Sequence, residues 1–373
     1  MNGADGTGRY ALIAALFLRL LALIYLAAFI STGLQIIGLA GDQGILPVAE
    51  TIARLRAEYG WAGFWRHPSI FWLSASNDAL FAVALAGCVF SVALLLNVLP
   101  RLSLIALFVL YLSLFHAGQL FMNFQWDYML LESGFIALFL ANGSRPAVWL
   151  FRWLLFRLRF MSGISKLTMQ DPSWSGLTAL NSYFEVQPLP TPLAWYAHQL
   201  PEWLLRAGTG WTFFVELLVP FMVFLPRRPR FVAAWLTIIM QLMIMATSNH
   251  NFFNLLTILL CLLLFDDQAV KAVAGGRWLN RMGERIPRAG RLASPRPGIP
   301  PVLSRCGPVR GDRDARRPSR GRGRPSPCSA TGRSRSVRAP PETAGLVSSD
   351  TIAQFGRPRR PTSQPPGAAP ERP

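Results

Sequence analysis

Long apolar runs constrain this chain more than any other feature. They recur through the first 267 residues, each near the ~20 residues that an α-helix needs to cross a bilayer. The runs lie at about residues 11–34, 79–99, 102–122, 128–141, 148–164, 208–225, 231–247 and 252–265. We therefore predict an all-α fold, a polytopic bundle of about eight transmembrane helices. The fourth and last runs are short and the fifth contains three arginines, so re-entrant or tilted segments are the alternative there.

The strong positive charge of the chain belongs to its end. The net charge is +18, and 52% of the residues are hydrophobic. Up to residue 284, 18 Lys and Arg stand against 14 Asp and Glu, whereas residues 285–373 hold 19 Arg, no Lys and 5 acidic residues. That stretch also has 17 Pro and almost no periodic apolar pattern, which predicts disorder. It is either a tail that binds anionic lipid or RNA, or the product of a shifted reading frame.

Three segments follow from this composition. Residues 1–10 form an N-terminal segment, residues 11–267 a transmembrane domain, and residues 268–373 a basic low-complexity tail. The first apolar run contains Arg19 and lacks a clear small-residue cleavage site, so we predict a retained membrane span rather than a signal peptide. Lys and Arg in the short loops place both termini on the cytoplasmic side.

This topology brings three polar segments to the opposite, outer face of the membrane. They are residues 123–127, the long loop at 166–206, and the turn at 248–254. In the third segment, amide and imidazole groups stand at the mouth of an apolar run, where they are costly unless they face a polar site or the protein interior. The four side chains that carry them are Asn249, His250, Asn251 and Asn254.

The first of the three segments surrounds a predicted helix start. Gln125, Trp126 and Asp127 lie there, and the Asp127 carboxylate can cap the unpaired N–H groups of the helix. Glu132 lies more than a turn deeper, where an acid needs a partner, and the arginines of the next run are the candidates.

Those arginines are Arg152, Arg157 and Arg159. Arg152 and Arg159 are seven residues apart and share one helix face, whereas Arg157 points elsewhere. We therefore group Glu132, Arg152 and Arg159 as a structural charge network that fixes helix packing. Direct contact with a substrate or client is the alternative.

The long loop combines one lysine with many aromatic and proline residues. Lys166 either extends to the membrane interface or acts as a base if desolvation lowers its pKa. Prolines in the loop enforce an extended backbone, and Trp174 and Trp195 suit the membrane interface. With Glu185 and Gln187, these residues form either an amphipathic cover of the bundle or a rigid surface that captures an apolar client or lipid.

Signals of cofactor chemistry are missing from the sequence. Cys88 and Cys261 lie inside apolar runs, and no CxxC pair indicates disulfide exchange. The four histidines show no metal-ligand spacing, and the nucleotide-binding and hydrolase motifs are not found. We predict no metal, no cofactor and no specific nucleic-acid partner.

Several of these segments, taken in order, resemble one membrane family. The stretches NFQWDYMLLESGFIALFLA, RLRFMSGISKL and SNHNFFNLLTILLCLLLFDD are similar to the lipase maturation factor family, over about residues 11–267. That family is distantly related to the membrane domain of the vitamin K-dependent γ-carboxylase. The resemblance implies a multi-pass protein, located in the endoplasmic reticulum of animals or the inner membrane of bacteria, that helps lipases reach their active fold.

The resemblance also carries over individual residues without assigning a catalytic role to any of them. One departure is His250, where the family usually has an aromatic residue between the first two Asn. The matching residues outside the candidates named above are Gly163, Asp171, Leu177, Tyr183, Pro188, Pro190, His198, Pro201, Glu216, Phe252, Phe253 and Thr257.

From the residues and the resemblance we predict a membrane-embedded folding factor. Its partners are the lipid bilayer and a protein client that is secreted or attached to the membrane, with a lipase as the expected client. Two alternatives belong to other classes. One is a membrane enzyme with Lys166 as its base, and the other is a transporter that moves charge past Glu132, Arg152 and Arg159.

Overall fold

A computed structural model describes residues 10–140 and 143–274. The predicted tail lies outside the described residues, apart from its first seven positions. Within the described residues the protein is helical throughout, with no β-strand and one isolated bridge between Pro190 and Ser248. The predicted all-α fold is confirmed.

Fourteen α-helices make up this part of the chain, joined by short 3₁₀ turns. The first seven are α1 (Ala11–Ala40), α2 (Val48–Tyr59), α3 (Gly63–Arg66), α4 (Asn77–Leu95), α5 (Pro100–Gly118), α6 (Gln125–Ala137) and α7 (Arg145–Thr168). The other seven are α8 (Pro172–Ser175), α9 (Ala179–Val186), α10 (Pro192–His198), α11 (Glu202–Phe213), α12 (Arg227–Thr247), α13 (Phe253–Leu262) and α14 (Asp267–Ala274).

In the part of the chain that the structure describes, five helical stretches are long and apolar enough to cross a membrane. They are Ala11–Ala40, Asn77–Leu95, Pro100–Met122, Glu202–Phe224 and Arg227–Thr247. The other three predicted spans correspond to α6, α7 and α13. Helices α6 and α13 have only 13 and 10 residues, and α7 is long but carries several cations. The protein is therefore a multi-pass membrane protein, and five of the eight predicted spans meet the requirements of length and composition.

Close packing of α1 depends on glycines in its neighbours. Helix α1 packs along α4 and also touches α5 and α6. Phe29 of α1 lies directly over Gly87 of α4, where a methyl group would overlap its ring. The Tyr25 hydroxyl lies against Gly134 in the same way and donates to the Leu130 carbonyl at 3.2 Å. Small residues let membrane helices approach this closely, so the two glycines set where α1 sits.

The acidic pair that ends the last apolar run ties the first helix to the last ones. The Asp267 carboxylate accepts hydrogen bonds from the backbone N–H groups of Leu12 and Ile13 at 3.1 and 3.0 Å. These N–H groups belong to the first turn of α1, where a helix has no internal acceptor and favours a negative charge. Asp266 pairs with Arg227 at the start of α12, with N–O distances of 2.8 and 3.0 Å.

These contacts define two ends of the bundle. The Asp267 end contains Asp267, the start of α1 and the start of α12. Helix α12 runs from there to Thr247, and the opposite end is called the Thr247 end. Helix α7 begins beside Tyr10, because Gly143 lies against the Tyr10 backbone, so α7 finishes with Lys166 at the Thr247 end.

Candidate functional site

A short extended segment, residues 187–191, lies at the Thr247 end between α9 and α10. Its backbone pairs with the chain that leaves α12. The Asn249 N–H donates to the Leu189 carbonyl at 3.2 Å, and the Thr191 N–H donates to the Thr247 carbonyl at 3.3 Å. The Gln187 amide adds a bond to the Thr247 carbonyl at 2.8 Å. Two of the segments expected on the outer face, the long loop and the turn at 248–254, are thus joined.

The alternating prolines explain this local structure. Pro188 and Pro190 have no N–H group and hold φ near −65°, which keeps the segment extended. Pro192 then starts α10 at the first helical position, where a missing N–H costs nothing. Extended backbone with free carbonyl groups is suited to pair with the end of α12.

A buried charge cluster lies where α7 meets the helix that follows α11. The Glu216 carboxylate accepts bonds from Lys166 at 2.6 Å, Arg159 at 3.1 Å and the Ser162 hydroxyl at 3.2 Å. Glu216 and Arg159 are only 4 and 5% exposed, and Lys166 is 19% exposed. The Arg159 guanidinium also touches the Met240 sulfur. The cluster joins α7 to the helix that follows α11 and to α12.

The backbone at Glu216 departs from a regular α-helix. Residues Phe214–Leu218 form one turn of π-helix between α11 and a 3₁₀ turn. Gly163 lies against this turn, where a Cβ atom would come within 3.1 Å of the Glu216 side chain. Such π-helical turns often occur at functional sites. Here the turn and the glycine bring the carboxylate to the cations of α7.

Glu216 matches the family motifs, but nothing in those motifs connects it to Lys166. One signal was available. Arg159, Ser162 and Lys166 are spaced by three, four and seven residues, which places them on one face of α7. Two cations and a hydroxyl on a shared face call for a buried acid, and Glu216 is the buried acid of the neighbouring helix.

Trp174 and Trp195 have different surroundings. The Lys166 ammonium lies over the ring of Trp174, 5.2 Å from its centroid, so Trp174 covers the charge cluster. Trp195 on α10 is 64% exposed. Glu185 is exposed and pairs with His198 at 3.0 Å. An exposed tryptophan and carboxylate remain available to a partner at this end.

The asparagines of the 248–254 turn divide into surface and interior residues. Asn249 and Asn251 are exposed, and the Asn249 side chain accepts the Asn251 N–H at 3.2 Å. Asn251 has a φ of 53°, in the left-handed region that asparagine tolerates. Asn254 is buried at 2% exposure and lies on α13.

His250 is held by its neighbour in the same turn. Its Nδ1 lies 2.9 Å from the Ser248 hydroxyl. Burial lowers the pKa of the His250 imidazole below its usual value, so the ring is neutral at pH 7. An uncharged His250 can replace the family's aromatic residue without adding a group that titrates at physiological pH.

The 123–127 segment makes its contacts with α5 and with itself. Asp127 is buried, and its carboxylate accepts the Tyr111 hydroxyl at 2.6 Å. The residue before α6 is Phe124, whose side chain makes no capping bond, and Asp127 lies in the first turn rather than at the predicted capping position. Trp126 stacks on Phe124 with ring centroids 4.5 Å apart, and Gln125 is exposed.

The predicted charge network is divided among separate contacts. Glu132 pairs with Arg157, the arginine that the helical spacing had set apart. Arg159 pairs with Glu216, and Arg152 donates to the Tyr10 hydroxyl at 3.0 Å. Arg152 and Arg159 do share the buried face of α7. Glu132 of α6 is 42% exposed, because its partner Arg157 lies on the exposed side of α7.

This division weakens the two alternative classes. The Lys166 amine is bound by three oxygen acceptors, Glu216 and two atoms of Ser162, as in a structural ion pair. Glu132, Arg152 and Arg159 do not form one line of charges through the described bundle. In the same residues no three His, Cys, Asp or Glu side chains come together to hold a metal ion.

The fold and site define a class: a multi-pass membrane protein with a buried charge cluster and, at the same end of the bundle, a surface of extended backbone and aromatic residues. The family model for the lipase maturation factor transmembrane domain matches residues 12–272. The chain therefore belongs to the lipase maturation factor family, as its motifs had indicated. No solved structure matches it.

Curated relatives carry the same family name. The chain is 42% identical to lipase maturation factor 2 of Gallus gallus over 287 residues, 71% of this chain and 39% of the relative. It is 40% identical to lipase maturation factor 2 of Homo sapiens over 304 residues, 74% and 43% of the two chains. Lipase maturation factor 1 of Homo sapiens is 33% identical over 325 residues, 81% and 57%. The match thus spans less than two thirds of each relative.

Proposed function

We propose that the protein is a membrane-embedded maturation factor that helps a secreted or membrane-attached client, a lipase, to reach its active fold. The observation that carries the proposal is the family match across the whole transmembrane domain, residues 12–272. The membrane is the endoplasmic reticulum in an animal host and the inner membrane in a bacterial host. The client meets the outer face, at the Thr247 end.

Exposed apolar side chains on the extended segment and on the adjoining ends of α9 and α10 support this surface. Val186, Leu189 and Trp195 are 70, 62 and 64% exposed and lie around the pairing with residues 246–249. Exposed apolar groups with a polar rim are typical of protein-binding sites. A client that is still folding offers apolar surface, which such a patch can cover while the exposed Glu185, Asn249 and Asn251 supply hydrogen bonds.

Rigid support for the patch comes from buried contacts at the same end of the bundle. Gln187 is 8% exposed and holds the segment to α12 through the Thr247 carbonyl. Lys166, Glu216 and Arg159 hold α7, the π-helical turn and α12 in place. We therefore assign Gln187, Asn254 and the charge cluster to positioning, and the exposed residues to contact with the client.

The experiment measures the specific activity of the host's secreted lipases after deletion of the gene and after its restoration. Lipase activity is normalised to lipase protein mass, which separates folding from secretion. We expect specific activity to fall on deletion and to return with the full chain. Unchanged lipase activity after deletion contradicts the proposal.

Two variants locate the surface. The double variant Leu189→Ala with Trp195→Ala should lower lipase specific activity by at least about fivefold at equal abundance of the membrane protein. The matched control, Trp61→Ala with Leu73→Ala, truncates residues of similar type and high exposure in the chain between α1 and α4 and should not. Equal losses in the two double variants would contradict a client surface at the extended segment.

Lys166→Arg separates this proposal from an enzyme. The substitution keeps the positive charge for Glu216 but does not supply a base at physiological pH. A maturation factor should keep its activity within about twofold, because the ion pair persists. Complete loss of lipase maturation, with normal abundance of the variant, would support a base at this position instead.

A further inference from the structure

A groove opens on the side of the bundle between α5, α6 and α7. Its volume is about 390 Å³, and its walls are formed mainly by Phe108, Phe135, Leu150 and Trp153. One ion pair, between Glu132 and Arg157, lines the same groove. The charges of this pair face out of the bundle, whereas those of the buried charge cluster face into it.

This ion pair is exposed, although it lies in the middle of α7. The Arg157 and Glu132 side chains are 47 and 42% exposed. The Arg159–Glu216 pair, two residues further along α7, is about 5% exposed on both sides. The same helix therefore presents one charged pair to its own bundle and another to its surroundings.

The groove lies at membrane depth. Phe108 is eight residues into the span that begins at Pro100, about 12 Å from its start. Arg157 is twelve residues from the start of α7 at Arg145, about 18 Å along a helix of about 36 Å. Charged side chains at this depth are costly in contact with lipid and normally face protein.

We propose that the groove is the contact surface between two copies of this chain, related by a two-fold axis along the membrane normal. In such a pair each residue lies at the same depth as its counterpart. The Glu132–Arg157 pair of one copy then meets the identical pair of the second copy. Glu132 of each chain faces Arg157 of the other, and four charges alternate in sign.

Charge complementarity favours a second copy over other occupants. Lipid tails and an apolar helix offer no hydrogen bonds to Glu132 and Arg157. A different protein would need both charges at the same depth, a condition that a second copy meets by symmetry. The apolar area comes from the groove walls and from Phe139, which is 55% exposed on the same side. Membrane helices associate through such packing together with polar contacts.

Cysteine cross-linking in native membranes tests the contact. The full chain, with its four cysteines replaced by alanine, carries either Phe135→Cys in the groove or Val89→Cys on α4. Both positions are exposed, at 50 and 59%, and both lie within helices at membrane depth. We expect an oxidant to form a disulfide-linked dimer with Phe135→Cys and not with Val89→Cys. Equal cross-linking at both positions, or none at Phe135, overturns the proposal.

Charge reversal distinguishes a dimer from an ion pair that acts only within one chain. Full-length chains with two different affinity tags are co-expressed and one tag is purified. The variants E132R and R157E should each lose at least about tenfold in self-association, because like charges meet across the axis. A mixture of E132R with R157E should recover association, since two Arg then face two Glu.

Recovery in the mixture requires contact between chains, so poor folding of the single variants cannot produce it. Mixed chains that are present in the membrane at native abundance and associate no better than either variant alone would overturn the proposal. So would native chains that co-purify only in the presence of a third protein or a bound lipid, which would make that molecule the occupant of the groove.

Discussion

The two ends of the bundle use their polar residues in different ways. At the Asp267 end, the carboxylate of Asp267 binds the start of α1 and that of Asp266 binds Arg227 of α12. These charges hold α1, α12 and α14 together. At the Thr247 end, Glu216, Arg159 and Lys166 form a largely buried cluster, and the extended segment and its neighbours turn apolar side chains outward. The first end closes the fold, whereas the second supports a surface for a partner.

The largest expected loss of stability comes from a substitution in the charge cluster at the Thr247 end. Glu216→Ala leaves Arg159 buried without a counter-charge, and Lys166 loses its acid as well. Removal of one partner from a buried pair typically lowers stability by about 3–5 kcal/mol. Thermal unfolding of the full chain in lipid nanodiscs measures this loss.

The control for Glu216 is Glu202→Ala, because Glu202 pairs with Arg206 at the surface. Exposed pairs contribute little to stability, so this variant should unfold close to the native temperature. If both variants unfold alike, the buried cluster does not support the Thr247 end.

An intermediate effect is expected at the opposite end. Asp267→Ala removes the carboxylate that accepts the Leu12 and Ile13 N–H groups. Loss of such a helix-terminal bond lowers stability by about 1–2 kcal/mol. The same unfolding measurement applies, and lipase maturation should persist at temperatures where the variant is folded. Loss of maturation without loss of stability would show that the two ends do not divide their roles.

The smallest expected effect is on the pH dependence of stability, and it comes from His250 in the 248–254 turn. Because burial lowers the pKa of His250 in the folded protein, the ring stays neutral where the unfolded chain takes up a proton. This difference leaves the folded protein at full stability above about pH 6.5, the ordinary histidine pKa, and the stability falls as the pH drops below that value. His250→Phe should unfold with less dependence on pH between 7.5 and 5.5, whereas Asn249→Ala should retain the native dependence.

Much of the site could be predicted from position along the chain. Pro188, Pro190 and Pro192 predicted an extended backbone, which is present at the first two, whereas Pro192 begins α10. Topology placed the long loop and the 248–254 turn on one face, and the two are paired there. The seven-residue spacing of Arg152 and Arg159 predicted that they share a helix face, and that face is buried.

Partner choice could not be predicted in the same way. Glu132 had three candidate arginines, and the pair formed with Arg157, whose outward direction depends on how α6 lies against α7. Asp127 was expected at a helix cap and instead bonds Tyr111 of α5. Contacts between helices depend on rotation and depth, which no pattern within a single helix specifies.

The sequence by itself determined the class of the protein, since apolar runs of membrane length and the ordered family motifs do not depend on how the helices pack. The tertiary structure decided which charges are buried and which are exposed. A residue's partner is set by the neighbouring helix and by its local backbone, such as the π-helical turn at Glu216 and the close approach at Gly163. Hydrophobic patterning specifies that helices enter the membrane, and only packing specifies which of their polar groups meet.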